Sequence, residues 1–196
     1  MEYVYHGSAV PGIEALEARS ILHGTNQRIV YLTDNIPYAL FYIWDEGVTG
    51  YGGKHVTGVV KNGVAYYEEQ FPGQLEQFYK GASGYLYYAP KTAEMGAVEN
   101  RESMFYNRGD TPVQARYIPD VYQELLKYEE LGALRVLRFE ERTPEHQDRL
   151  VELMAQAIAQ EDFCREDKAR QAFMKRYFSL AWERARETVP PRSPGT

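Results

Sequence analysis

Ile29-Val30-Tyr31-Leu32-Thr33-Asp34-Asn35-Ile36-Pro37-Tyr38-Ala39-Leu40-Phe41-Tyr42-Ile43-Trp44-Asp45 is the stretch on which the fold turns. Its first five residues are β-branched, aromatic or apolar and predict a short buried strand. Asp34 or Asn35 then presents a side-chain oxygen to the free N–H groups that open a helix, and Pro37 falls in the first turn, where a missing N–H costs nothing. Tyr38 and Tyr42, four apart, share one face of that helix. The strand-to-helix join therefore brings Tyr31 and Tyr42 near each other. Two such rings either close on a flat ligand or pack as core.

The amino terminus bears on that choice. Tyr3-Val4-Tyr5-His6-Gly7-Ser8 predicts a strand that ends in a histidine, a glycine and a hydroxyl, and Pro11-Gly12 followed by Ile13 and Leu16 suggests a short helix. Tyr5-His6-Gly7-Ser8, followed by Tyr31 and Tyr42 at a spacing of 42 − 31 = 11, resembles the first two motifs of the diphtheria-toxin-like and poly(ADP-ribose) polymerase-like ADP-ribosyltransferases. Thr33-Asp34-Asn35 and Ala39 are similar to the toxin version in particular. The resemblance covers about the first quarter of the chain. It implies an α+β fold around a split antiparallel β-sheet, with NAD as substrate.

It also implies roles. Gly7 backbone groups would meet the nicotinamide carboxamide, with Ser8 helping to hold it. Tyr31 and Tyr42 would stack on the ring, and His6 would hydrogen-bond the adenosine-side ribose. Thr33 and Ala39 would complete the cofactor-binding set. Where these families carry a glutamate on a late strand, the local counterpart here is Arg116-Tyr117-Ile118, so a cation stands at the expected carboxylate. Gln114, two residues earlier, and Glu102, with Glu99 in the preceding loop, are the nearest candidates for the catalytic position.

The 196 residues suffice for one sizeable core. With 22 basic and 28 acidic side chains, net charge −6, the chain carries no strong nucleic-acid signal. One cysteine, Cys164, excludes an internal disulfide and fits a reducing compartment. No apolar run reaches membrane-spanning length, and no basic-then-apolar leader opens the chain; the expected location is cytoplasmic, with no membrane partner. The four histidines are scattered, which gives no metal-ligand spacing, and phosphate-cradling glycine loops are missing.

Further along, Gly47 to Gly53 predicts a glycine-rich connector, either a flap over a ligand or a solvated turn. Asn62-Gly63 between His55–Lys61 and Val64–Glu68 is a strong hairpin signal. A short helix over Gln74–Lys80, strands at 84–88, 104–107 and 113–118, a helix from Asp120 to Gly132 and a strand over 134–139 follow. Arg108-Gly109-Asp110 is sufficiently explained as a turn. The pairs Glu68-Glu69, Glu129-Glu130 and Glu140-Glu141 read as solvated surface, because adjacent side chains point apart.

The resemblance implies that residues 1–142 form an ADP-ribosyltransferase-like domain. Thr143 caps a helical extension over 143–189, a pair of amphipathic helices packed on that domain, and 190–196 reads as a disordered tail. The expected function is NAD-dependent mono-ADP-ribosyl transfer to an unknown macromolecular acceptor. The rival readings are an inactive NAD- or nicotinamide-binding relative and an interaction protein working through its carboxyl-terminal helices. Removal of an RNA phosphate by an NAD-using fold relative ranks last, since only Arg19 and Arg28 supply cations near the motifs.

Overall fold

Thr33 and Asn35 set the strand-to-helix corner. In the computed structural model, which describes residues 2–188, strand β4 (Arg28–Thr33) runs into helix α1 (Ile36–Leu40). The Thr33 hydroxyl accepts from Asn35 N, and the Asn35 carboxamide oxygen accepts from Tyr38 N at 3.0 Å, so Asn35 is the cap. The helix is a single turn: Phe41 is its C-cap, and Tyr42 lies just beyond it rather than on a helix face shared with Tyr38.

β4 belongs to a seven-stranded sheet. Its other long members are β1 (Tyr3–Ser8), β7 (Gly84–Pro90), β9 (Met104–Asn107) and β11 (Gln114–Ile118). The order is β11–β7–β1–β4–β9–β8, with β3 (Ser20–Ile21) beside β4, β8 being Gly96–Ala97; all pairings are antiparallel. A second, three-stranded sheet runs β12–β6–β5, from β5 (Gly58–Lys61), β6 (Val64–Glu68) and β12 (Leu134–Leu137); β6 and β12 are parallel. The class is α+β, with a large antiparallel sheet and a small mixed one.

The β5–β6 turn has both central residues at positive φ, Asn62 at 52° and Gly63 at 75°, as a two-residue hairpin demands. The region read as a short helix around Ile13–Leu16 is instead extended: β2 (Ala15–Leu16) pairs with β10 (Thr111–Pro112). Leu16 is drawn into a small cluster with Val4, Val30, Leu32 and Ala89 on one face of the large sheet. Two-residue strands of this kind have no period of their own to read.

The main core occupies the space between the sheets and the helices α3 (Gln74–Tyr79), α4 (Val121–Glu130), α5 (Pro144–Gln160), α6 (Lys168–Tyr177) and α7 (Ser179–Thr188). Where a pair of carboxyl-terminal helices was expected, there are three, because the last one bends at Phe178. The bend buries Phe173, Tyr177 and Phe178 as well as Ala181 and Trp182. Phe78 of α3 meets Phe173 at 5.6 Å and Tyr177 at 5.0 Å between ring centroids, and Phe71 meets Phe178 at 5.1 Å. Burying such rings contributes roughly 1.5–3 kcal/mol each, which joins the helices to the sheet as one core. Position 189 and the tail expected over 190–196 lie outside the described residues.

Glu69 departs from the solvated reading. It is 1% exposed, and its carboxylate accepts from Leu75 N at the start of α3 (3.0 Å) and from Phe139 N after β12 (3.2 Å). Its neighbour Glu68 pairs with Arg142 and His146. Stripping the Glu69 carboxylate leaves two buried N–H groups without partners, at about 1–3 kcal/mol each. Urea unfolding of Glu69→Ala should therefore show a loss of about 2–6 kcal/mol, with a smaller loss for Glu69→Gln, which keeps one carbonyl oxygen.

Candidate functional site

β1 and β4 part company early. β1 pairs with β7 along its whole length, Tyr3↔Pro90 to Ser8↔Tyr85, but with β4 at Tyr5↔Thr33 alone. Past that point the β4-facing edge of His6–Ser8 has no ladder partner. The His6 ring bridges the gap instead, its Nδ1 lying 3.1 Å from the Tyr31 carbonyl oxygen. A carbonyl only accepts, so Nδ1 carries the proton, and the neutral ring keeps an acceptor lone pair on Nε2. Burial pushes the His6 pKa below its ordinary value, opposed by the Tyr31 bond and assisted by the charge of Lys54.

α1 seals one side of this opening. A Cβ at Gly7 would overlap the Ala39 carbonyl oxygen and stand 3.1 Å from Ile43 Cγ1, so only glycine permits the helix to sit so close to the strand. Gly7 thus has a packing reason besides the ligand role that the resemblance implies.

Between these elements lies a cleft of about 500 Å³, lined by Tyr5, His6, Gly7, His23, Tyr31, Leu32, Thr33, Tyr38, Ala39, Tyr42, Val98, Glu99, Arg101 and Met104. That volume is in the range of small-molecule sites. The lining is mainly aromatic and apolar, with few polar groups. Tyr42 is fixed by its hydroxyl, 3.1 Å from that of Tyr38, which in turn lies 3.7 Å from Met104 Sδ. Burial first, and then the Tyr38 hydroxyl, hold the Tyr42 pKa well above the ordinary 10.0, so the phenol stays protonated. Lys54 Nζ lies 5.7 Å from the centre of the Tyr42 ring.

Of the sequence-predicted residues, His6, Gly7, Tyr31, Thr33, Ala39 and Tyr42 line this one cleft. Ser8 does not: its Oγ accepts from Val10 N, and it lines a neighbouring cleft of about 680 Å³ that shares His6 and Tyr31. Gln114 is also elsewhere, on edge strand β11, its side-chain oxygen accepting from Tyr88 OH at 2.8 Å. Arg116 pairs with Glu124 at 2.9 Å. Glu102 is committed to backbone: its two oxygens accept from Asn62 N (2.9 Å) and Gly63 N (2.7 Å) of the β5–β6 turn. Among the described residues Glu99 is the one carboxylate in the cleft lining.

The glycine-rich connector begins with a helical turn, α2 (Glu46–Thr49), capped by Asp45. Its Tyr51 packs on Phe173 at 5.0 Å, and the Tyr51 carbonyl accepts from Trp44 Nε1 at 2.7 Å, so this part of the connector is anchored in the core. Sequence reasoning missed His23, Tyr38, Val98, Arg101 and Met104 as lining residues. Only Tyr38 carried a signal, since it shares the Tyr42 face. Among the described residues no group of three or more His, Cys, Asp or Glu side chains stands ready for a metal, and no helix is long and apolar enough to cross a membrane. No family model, curated protein or solved structure matches the chain.

A second histidine, His55, is half-buried against Phe78, Phe173 and Phe178 and donates from Nε2 to the Gln70 side-chain oxygen at 2.7 Å. Burial lowers its pKa too, against the raising effect of the Gln70 bond. With both folded values below the ordinary 6.5, the unfolded chain binds more protons in the window beneath 6.5. Stability is then fully present above that window and lost as pH falls through the depressed values, at up to about 1.4 kcal/mol per pH unit per histidine. Urea titrations at pH 7, 6 and 5 should show this fall, and His6→Asn should make it shallower.

Proposed function

We propose that the cleft takes the nicotinamide end of NAD and that the protein transfers ADP-ribose from it to a macromolecular acceptor. One observation carries this reading: His6, Gly7, Tyr31, Thr33, Ala39 and Tyr42 line a single cleft at the place where β1 and β4 separate. That arrangement is what the likeness of the Tyr5–Ser8 and Tyr31–Tyr42 motifs to ADP-ribosyltransferases implies, and the split sheet is read as that fold.

The chemistry suits the lining. A pyridinium ring between tyrosine faces gains from both stacking and cation–π attraction. The free His6 Nε2 accepts a ribose hydroxyl proton, and the unpaired edge at Gly7 offers backbone groups to the carboxamide. Arg101, among the described residues the one guanidinium in the lining, complements the diphosphate. In the reaction the bond between C1′ of the ribose and the pyridinium nitrogen breaks, and its electron pair leaves with neutral nicotinamide. An acceptor oxygen or nitrogen bonds to C1′ and gives up a proton. The transition state is positive at the sugar, as in glycoside cleavage.

A binding protein without turnover is the second reading. It is favoured by Arg116 and Gln114, which occupy the region of the expected acid and are tied to Glu124 and Tyr88. Calorimetry with NAD and incubation of labelled NAD with lysate separate the two. Transfer predicts micromolar-to-millimolar binding together with labelled macromolecule. Binding without label or nicotinamide release leaves the second reading, and no binding overturns both. Tyr42→Ala should weaken NAD binding about tenfold, the equivalent of ~1.4 kcal/mol, while Tyr117→Ala, on the exposed β11, should leave it unchanged.

A further inference from the structure

We infer that the free edge of β5 is the docking site of the acceptor, where an extended peptide segment adds a strand to the small sheet. The acceptor role rests on the nicotinamide reading above; the docking itself does not.

The register of the hairpin shows which backbone groups are free. Ala65 N donates to Ala133 O at 3.0 Å and Glu69 N donates to Leu137 O at 3.1 Å, both on the β12 side, away from β5. Val60 lies opposite Ala65, and Gly58 lies opposite Tyr67, two residues on. In an antiparallel ladder such pairs exchange no bonds with each other, so the N–H and C=O groups of Gly58 and Val60 point away from β6. The hairpin is held by the alternate pairs, Lys61↔Val64 and Val59↔Tyr66. β5 ends the order β12–β6–β5, and among the described residues no hydrogen bond reaches the outward groups of Gly58 and Val60. Donors and acceptors in a row at strand spacing are matched by another extended backbone.

This edge adjoins the site. A cleft of about 300 Å³ is lined by Val59 and Val60 of the edge and by Asn100 and Glu102 of the loop that leads into β9. Tyr38, Arg101 and Met104 line this cleft and the main one alike, so the two are joined. A peptide paired with β5 sends alternate side chains to opposite faces, which sets one of them at the shared wall.

The edge is also held in place before anything binds. Asn35 Nδ2 donates to Gly63 O at 3.0 Å, and the two Glu102 oxygens accept from Asn62 N and Gly63 N. A preorganised edge spares a peptide the cost of ordering it. Two exposed side chains set the preference. Val59 is 56% exposed, and Lys61, on the same strand face, is exposed and pairs with no carboxylate among the described residues. Favourable cross-strand partners are a β-branched residue for the first and an acidic one for the second.

The probe is fluorescein-labelled acetyl-Thr-Val-Glu-Val-Thr-Val-Thr-amide, and its control carries proline in place of the central valine. Fluorescence anisotropy should show saturable binding of the probe below about 1 mM, with or without NAD, and none of the control. Val60→Pro removes an outward N–H that serves no ladder bond, so the urea midpoint should stay unchanged while probe binding weakens about tenfold. Lys61→Glu should weaken it about threefold, and a probe with lysine in place of glutamate should restore it. Hydrogen exchange of wild-type protein saturated with probe should slow at the amides of Gly58 and Val60 and not along β11. No binding by about 1 mM, equal binding by the control or by Val60→Pro, or protection along β11 instead overturns the inference. So does a wild-type dimer in sedimentation that Val60→Pro abolishes, which gives the edge to a second copy. Calorimetry with NAD keeps the two readings apart. Probe binding without NAD binding supports the docking edge and overturns the nicotinamide reading, whereas NAD binding without probe binding overturns only the docking edge.

Discussion

The cleft depends on a sheet that stops being a sheet. After Tyr5↔Thr33 the β1–β4 ladder ends, and the protein must supply what the missing backbone bonds would have held. It does so with one side-chain bond, His6 to the Tyr31 carbonyl, and with one close contact, Ala39 of α1 against Gly7. The first holds the two strands at a fixed separation. The second keeps the helix from moving into or away from the opening. Each depends on a residue type with no ready substitute: a ring that both donates and accepts, and a residue without a Cβ.

Around that opening, rigidity comes from capping. Asn35 serves both α1 and the β5–β6 turn, Glu102 serves the same turn from the other side, and Thr33 caps Asn35. These are short polar side chains satisfying backbone groups, each worth of the order of 1 kcal/mol alone. Their collective effect is geometric. They bind three segments distant in sequence, the β4–α1 corner, the β5–β6 turn and the loop that leads into β9, into one frame.

The carboxyl-terminal helices stand apart from the cleft and belong to the core. Their rings interleave with Phe71, Phe78 and Trp44, and Tyr51 of the connector packs on Phe173. Leu153 and Leu180 of these helices stay exposed. This arrangement gives the helices a structural task, that of covering the sheets.

What the sequence determined by itself is local: the strand from Ile29, the cap and Pro37 at the helix start, the Asn62-Gly63 turn, and the eleven-residue step from Tyr31 to Tyr42. Each rests on propensity, capping or turn chemistry acting within a few residues. The six residues that line one cleft were picked out because they sit in two short motifs. Only the tertiary structure decided the rest. It placed Glu69 inside and Glu102 on a turn, since a glutamate's role depends on which distant N–H groups it meets. It placed Ser8 in the neighbouring cleft, with its hydroxyl turned to Val10 N. It brought Glu99, Arg101 and Met104 in, because β9 pairs with β4 across seventy residues of chain that no local pattern spans.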